Sequence, residues 1–158
     1  MKKTLTTAIA VLLAIGAVLS GCGKHAAAQV DVSAVAQAFR DGLTFQDEMN
    51  EIAETRLGDY YPTIDVSTLN GFKMYKGASG ATAEEIAVFQ AKDSESVKDI
   101  EKAIETRLED LKLQFEDYVP AEVKKITEAV TETSGSVVVL VVADDAAAAQ
   151  KIVDEQLG

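Results

Sequence analysis

The sequence predicts an α+β fold with a four-stranded, mainly antiparallel sheet built from two ββα units, preceded by N-terminal helices. Three observations support this prediction. Residues 72–92 alternate around a glycine-containing turn, residues 94–118 repeat apolar side chains every three or four positions, and residues 136–143 form an apolar run. The order hairpin, acidic cap and helix occurs at residues 72–118 and again at residues 127–157. We therefore expect two similar units that share one sheet.

Two helices are expected ahead of the first strand. Residues 30–42 place apolar side chains on one face, with Asp31 or Ser33 as the N-cap and a glycine at the C-terminal end. Residues 44–58 also place apolar side chains at helical spacing, which predicts a second, shorter helix. Residues 59–71 contain turn-forming residues and are expected to form a loop with one helical turn near its end.

The first ββα unit has the clearest pattern. Residues 72–76 and 85–92 are expected to pair as an antiparallel hairpin. A helix over residues 94–118 follows, with Asp93 or Ser94 as its cap. Its predicted apolar stripe consists of Val97, Ile100, Ile104, Leu108, Leu111 and Phe115.

The second unit repeats this order. Residues 121–126 favour a helical turn, residues 127–133 and 136–143 favour a second hairpin, and residues 144–157 favour a terminal helix. Because the strand at 136–143 is apolar on both faces, both faces of the sheet need to be covered. We expect the helix of the first unit and the terminal helix to cover one face. The N-terminal helices, or a partner, would then cover the other.

The N-terminal segment has a different character. Two lysines precede a twelve-residue apolar run from Ala8 to Leu19, which is typical of a secretory signal peptide. A transmembrane anchor is the alternative, but the uncharged stretch is at the short limit for crossing a bilayer. The segment resembles the signal of bacterial lipoproteins, in which a lipid is attached to the cysteine and the preceding peptide is removed. The residues that carry this resemblance are Leu19, Ser20, Gly21 and Cys22.

This resemblance implies a domain organisation. Residues 1–21 would be a removed signal peptide, residues 22–30 a lipidated cysteine with a short tether, and residues 31–158 a single α+β domain. The mature chain would be held on the extracytoplasmic face of the cell membrane by lipid chains on Cys22, anchored without spanning the bilayer. An ordinary signal peptide with an incidental thiol is the alternative interpretation.

The chain is strongly acidic. It has 15 basic and 26 acidic residues, a net charge of −11. Removal of the signal peptide takes two lysines with it and leaves a net charge of −13. Because the sequence contains no basic stripe, nucleic acid is not an expected partner.

The composition also restricts the possible chemistry. The one cysteine would carry lipid and the one histidine, His25, lies in the tether, which excludes Ser–His and Cys–His catalytic arrangements. The sequence holds no His/Cys cluster for a metal, and it predicts no cofactor. Carboxylates or a Ser–Lys pair are the remaining catalytic possibilities.

Several pairs of adjacent carboxylates occur, among them Glu84-Glu85, Glu116-Asp117 and Asp144-Asp145. Adjacent side chains point apart on a strand or helix, so we interpret these pairs as solvated charges and helix caps.

Arg107 and Tyr118 are the candidate pocket residues. They lie eleven positions apart on the predicted helix, about three turns, and so share a face. A position at the edge of the core is the alternative, and it is the interpretation that we favour.

Several segments resemble a bacterial lipoprotein family that is catalogued as a domain of unknown function (number forty-three fifty-eight). They are Glu84 to Asp93, Arg107 with Phe115, Tyr118, Pro120 and Glu122, and Gly135 to Asp145. The resemblance covers roughly residues 32–155 and departs from the family at Ser136, where an aromatic residue or asparagine is expected beside the turn. It implies a cell-surface lipoprotein and transfers no activity.

Together these observations predict a membrane-anchored, extracytoplasmic lipoprotein that acts as a non-catalytic binding or accessory module in the cell envelope. The alternative is an envelope hydrolase that uses carboxylates or a Ser–Lys pair. An envelope protein or a second copy of the chain would bind an apolar patch rimmed by carboxylates, on the sheet face away from the helix that begins at Ser94. If residues 31–57 cover that face completely, the domain is instead a closed monomer.

Overall fold

The structure is a computed structural model that describes residues 30–158. The predicted signal peptide, Cys22 with the rest of its motif, and the tether with His25 lie outside the described residues. Among the described helices, none has the length and apolar character needed to cross a membrane.

The described chain forms one antiparallel sheet with helices on both faces. Its strands, in chain order, are β1 (Met49–Glu51), β2 (Leu69–Gly77), β3 (Glu85–Ala91), β4 (Val130–Ser134) and β5 (Val137–Val142). Their order across the sheet is β1-β2-β3-β5-β4, and every neighbouring pair is antiparallel. The α+β class and both predicted hairpins are confirmed. The predicted number of four strands is wrong, because the sheet has five.

The additional strand lies in the segment that was expected to form the second helix. β1 pairs with the end of β2, with Met49 opposite Gly77, and a 3₁₀ helix (Glu54–Asp59) follows. Met49 and Ile52 have helical spacing, but they pack into the cores on opposite faces of the sheet. The backbone pairing with β2 therefore overrides the local helical pattern.

Four α-helices complete the fold, α1 (Val32–Gly42), α2 (Ser94–Phe115), α3 (Pro120–Thr127) and α4 (Ala146–Leu157). The aspartate before α2 is confirmed as its cap, since the Asp93 carboxylate accepts the backbone N–H of Ser96 at 2.8 Å. Asp31 and Asp145 cap α1 and α4 in the same way. α2 ends at Phe115, three residues before the predicted end.

The two predicted hairpin turns each contain a glycine with positive φ. Gly80, between β2 and β3, has φ 71°, and Gly135, between β4 and β5, has φ 59°. Both values lie in the left-handed region that glycine adopts without steric cost. These two glycines therefore help to fix where the strands reverse.

Two apolar cores lie on opposite faces of the sheet. On one face, α2 packs Ile100, Ile104 and Leu111 against side chains of β3 and β5. On the other, α1 and α4 pack against the alternate side chains of the same strands, and every residue of β5 is buried. The expectation that α2 and the terminal helix share a face is therefore wrong. α1 and α4 together cover the face on which the apolar patch was expected.

Candidate functional site

Two adjacent carboxylates at the start of β3 are completely buried. Glu84 and Glu85 are both 0 % exposed. The expected interpretation of this pair as solvated charge is wrong, although the prediction that the two side chains point apart is correct, because they bind different cations in different clusters. Each carboxylate must therefore be compensated within the protein.

Glu85 is held by an arginine and a tyrosine. The Arg107 guanidinium donates from Nη2 to Glu85 Oε2 at 2.6 Å and from Nε to the same oxygen at 3.1 Å. The hydroxyl of the buried Tyr61 donates to Glu85 Oε1 at 2.6 Å. We call these three residues the Glu85 cluster. It ties α2 and the chain after the 54–59 helix to the start of β3.

Burial and charge shift the pKa values in this cluster. Burial and the negative charge of Glu85 raise the pKa of Tyr61 well above its ordinary value, so its hydroxyl stays protonated and donates. For Arg107, burial opposes the charged form, but the charge and hydrogen bonds of Glu85 outweigh that effect and raise the pKa. The cluster is thus a fixed ion pair with a neutral donor.

Glu84 belongs to a second cluster with a lysine from α3. Lys125 Nζ lies 3.3 Å from Glu84 Oε1 and 3.1 Å from Glu122 Oε1, and all three side chains are at most 5 % exposed. Glu84 also accepts the backbone N–H groups of Gln46 and Asp47 at 2.9 and 3.0 Å. We call Glu84, Glu122 and Lys125 the Glu84 cluster. It connects the chain between α1 and β1 with β3 and α3.

Lys125 is unsuited to act as a general base. Burial alone would lower its pKa, but the hydrogen bonds and charges of Glu122 and Glu84 outweigh burial and raise it. A lysine that activates a serine must give up its proton near neutral pH. The protonated Lys125 therefore serves as a counter-ion.

The two candidate pocket residues do not come together. Arg107 is 8 % exposed and buried against Glu85, whereas Tyr118 is 86 % exposed and lies beyond the end of α2. Their predicted shared face is lost because the helix stops at Phe115. The aromatic neighbour of Arg107 is instead Tyr60, whose ring centre lies 5.3 Å from the guanidinium carbon.

A groove runs between α2 and β4, at one edge of the sheet. Ile104, Leu108 and Val138 are its apolar lining residues. Glu101 and Glu105 line the groove from α2 and Glu132 lines it from the edge strand β4, and the volume of the groove is about 370 Å³. We call this feature the acidic groove. None of its lining residues, within residues 30–158, is a cation.

The strand beside the acidic groove has a neighbour on only one side. β4 is last in the sheet, and among the described strands it pairs with β5 alone. Thr131, Glu132 and Thr133 are all exposed, and the Thr133 hydroxyl donates to Glu101 at 2.7 Å. An edge strand offers unpaired backbone N–H and C=O groups to an extended segment of another chain.

No group of three or more His, Cys, Asp or Glu side chains among residues 30–158 is arranged to hold a metal ion. The buried carboxylates instead have guanidinium, ammonium and N–H partners.

Sequence reasoning missed both buried clusters and the acidic groove. The partners of Glu85 and Glu84 lie 22 and 41 residues away, so no local pattern indicates them. One sequence feature indicates the strand beside the groove. The polar segment Thr131-Glu132-Thr133 precedes a long apolar strand, and such a polar segment is typical of an edge strand.

Comparisons with known proteins identify a family without an assigned activity. A family model described as "Domain of unknown function (DUF4358)" matches residues 42–143. No curated protein matches the chain. No solved structure matches it either.

Proposed function

The chain belongs to the DUF4358 family of unknown function, and we propose that it is a lipid-anchored, extracytoplasmic binding module of the cell envelope without catalytic activity of its own. The acidic groove is the observation that carries this proposal. It combines apolar side chains, a carboxylate rim and a strand edge, which together suit a segment of another protein.

The anchoring part of the proposal rests on the sequence. Cys22 follows Leu19-Ser20-Gly21 after an uninterrupted apolar run. Each methylene of an attached acyl chain contributes about 0.8 kcal/mol when buried in the bilayer, so two or more chains give stable anchoring. The lipid on Cys22 would hold the domain at the membrane surface.

Replacement of the cysteine tests the anchor. Cys22→Ser is expected to release the protein from the membrane fraction or leave it as an unprocessed precursor, measured by cell fractionation. His25→Ala, three residues further on, is the matched control and should remain at the membrane. A Cys22→Ser protein that is cleaved and still fractionates with membranes would contradict anchoring through this residue.

The chemistry of the groove favours a basic, extended segment. Ile104, Leu108 and Val138 offer a surface for apolar side chains, and the surrounding carboxylates favour lysine or arginine. The free edge of β4 allows the segment to add as a further strand, which supplies backbone hydrogen bonds. A second copy is a poorer fit, because the chain carries a net charge of −11. We therefore favour an envelope protein with a basic segment.

Site-specific crosslinking in intact cells tests this partner. A photoreactive residue at Thr131, on the exposed edge of β4, is expected to capture a specific protein through a basic, extended segment that mass spectrometry can identify. The matched control is the same residue at Lys151, which is exposed on α4 at the other face. Equal capture from both positions would contradict the proposal.

Charge reversal makes the test specific to the groove. The combined substitution Glu101→Lys, Glu105→Lys and Glu132→Lys should abolish capture at Thr131, because it repels a basic segment. Capture that persists at the same yield in this variant would show that the acidic rim does not recognise the partner.

A further inference from the structure

A second surface pocket lies at the opposite edge of the sheet, between β1 and the 54–59 helix. Its volume is about 340 Å³. Its lining residues are Asn50, Glu51, Ile52, Arg56, Tyr60, Lys76, Gly77 and Ala78. Unlike the acidic groove, this pocket is lined by two cations, and neither it nor its residues belong to the function proposed above.

Hydrogen-bond donors converge on the pocket from two elements. Asn50 and Lys76 are directly opposed in the β1–β2 pairing and therefore share a face of the sheet. Arg56 lies on the 54–59 helix and Tyr60 at its C-terminal end. The guanidinium Nη2 of Arg56 donates to the hydroxyl of Tyr60 at 3.4 Å. An amide, an ammonium, a guanidinium and a hydroxyl thus line one concave surface of a strongly acidic protein.

Lys76 is the lining cation that has no carboxylate in direct contact in the described part of the chain. In the described part of the chain no carboxylate oxygen lies within 4.0 Å of its ammonium nitrogen, while its side chain is half-buried. The nearby carboxylates have other partners: Glu51 lies 2.6 Å from Lys73, and Glu85 lies 2.6 Å from Arg107. Asp47 accepts hydrogen bonds from the backbone and hydroxyl of Ser79.

Burial lowers the pKa of Lys76, and a bound anion would oppose that shift. Desolvation lowers its pKa, the charge of Glu85 raises it, the charge of Arg107 lowers it and the charge of Asp47 raises it. The net direction is downward. A bound negative charge beside the ammonium would stabilise its protonated form.

We propose that this pocket binds a small monocarboxylate ligand whose carboxylate lies against Lys76 and Asn50 and whose apolar part packs on Tyr60 and Ile52. The buried Ile52 and the half-buried ring of Tyr60 provide the apolar surface. This would be a ligand site separate from the acidic groove, at the other edge of the sheet.

The charged residues around the pocket favour a ligand with a single negative charge. Arg56 is paired with Asp59 at 3.0 Å and Glu51 with Lys73 at 2.6 Å, so among the described lining residues Lys76 is the cation without a carboxylate in contact. Asn50 and Tyr60 contribute neutral donors. A dianion such as phosphate would bring a second negative charge close to Glu51, which lines the pocket, and to Asp59, which pairs with Arg56, in a chain of net charge −11.

Titration of the purified full-length protein in detergent with benzoate, followed by backbone amide NMR, tests the pocket. Benzoate is expected to cause saturable shifts at Asn50, Lys76 and Ala78, with an affinity in the millimolar range or tighter. Benzamide, which lacks the charge, and inorganic phosphate, which carries about two charges, should each bind at least about tenfold more weakly.

A lysine variant and a matched control separate the site from general charge effects. Lys76→Met should weaken benzoate binding by about tenfold or more, because it removes the lining cation that has no carboxylate in contact. Lys98→Met removes the same charge from an exposed position on α2 and should change the affinity by less than about twofold.

Three results would overturn the proposal. The first is the absence of saturable shifts around Lys76 with benzoate at millimolar concentrations. The second is equal weakening by Lys76→Met and Lys98→Met, which would indicate a nonspecific charge effect. The third is phosphate binding as tightly as benzoate, which would contradict a site for a single negative charge.

Discussion

The two edges of the sheet are built in different ways. Near β1, the charged groups Glu85 and Arg107 form a buried cluster with Tyr61. Near β4, charge lies outside: exposed carboxylates rim an apolar groove, and the edge residues of the strand are solvated. Acidic residues are thus buried as ion-pair partners near β1 and exposed beside an apolar groove near β4, and our proposal assigns them separate roles in stability and binding.

We therefore expect substitutions near β1 to affect the stability of the fold and substitutions near β4 to affect binding. Substitutions in the Glu85 cluster remove partners from buried charged groups, so they should lower the free energy of unfolding. Substitutions on the rim of the acidic groove remove exposed charges, so they should leave stability nearly unchanged and affect association. The predictions below test this separation from the largest expected effect on stability to the smallest.

The largest effect is expected from Arg107→Met. It leaves Glu85, which is 0 % exposed, with the Tyr61 hydroxyl as its remaining side-chain partner. The loss of one partner of a buried ion pair typically costs about 3–5 kcal/mol in the free energy of unfolding. Denaturant unfolding of the purified protein measures this cost. Arg40→Met, which removes an exposed arginine stacked on Tyr75, is the matched control and should cost less than about 1 kcal/mol.

A cost for Arg107→Met no larger than that of the Arg40→Met control would show that the Glu85 cluster does not hold the β1 side of the fold together.

Alanine substitutions of two leucines on α2 should differ in their cost in the free energy of unfolding. Leu111 is 0 % exposed, so Leu111→Ala is expected to cost about 2–5 kcal/mol. Leu108 is partly buried and lines the acidic groove, so Leu108→Ala should cost clearly less than Leu111→Ala. Denaturant midpoints at constant m-value give both numbers. Equal costs would mean that the groove residue is as much a part of the core as Leu111.

The protonation of Tyr61 predicts a loss of stability at alkaline pH. Its pKa is raised in the folded state, so the folded protein holds the proton more tightly than the unfolded chain does. This contribution is fully present below the ordinary tyrosine pKa of about 10 and is lost as the pH rises above it. Lys125, whose pKa is also raised, adds a loss in the same direction.

Tyr61→Phe should reduce that alkaline loss while costing about 1–3 kcal/mol near neutral pH, because Glu85 loses a hydrogen bond. Unfolding curves from pH 7 to about 11 measure both effects. Lys124 and Lys125, whose pKa values are raised, contribute a residual loss of stability, and Lys76, whose pKa is lowered, opposes it. An alkaline slope that is identical in the wild type and Tyr61→Phe would contradict the assignment of the proton to Tyr61.

Elements with a long local pattern could be predicted from the sequence. The stripe from Ile100 to Phe115 repeats over several turns, and both hairpins have glycine turns, so α2 and four strands were placed correctly. The family was also identified correctly from the residues. β1 was missed because three residues are too few to show a period of two, and Met49 and Ile52 also fit a helix.

The buried charges could not be predicted from local patterns. Glu84 and Glu85 look like a solvated pair, and only the fold brings Lys125 and Arg107 against them. The face covered by α4 was likewise undetermined, since an amphipathic helix does not specify which side of a two-sided sheet it covers. Arg107 was identified as a candidate site residue, but with Tyr118 rather than Tyr60 and Tyr61 as the expected aromatic neighbour.

The smallest effect on stability, with the largest effect on binding, is expected at the acidic groove. The variant Glu101→Gln, Glu105→Gln and Glu132→Gln removes three exposed charges, two beside the groove on α2 and one on the adjoining edge strand, and should change the free energy of unfolding by no more than about 0.5 kcal/mol. The variant Asp99→Asn, Glu109→Gln and Glu155→Gln removes three exposed charges elsewhere and serves as the matched control.

The affinity of the full-length protein for a synthetic peptide of alternating lysine and valine tests the central claim most directly. We expect binding to the wild type that weakens with added salt, no change in the control variant, and a loss of about tenfold or more in the groove variant. A groove variant that binds this peptide as tightly as the wild type would show that the acidic groove is not the binding surface.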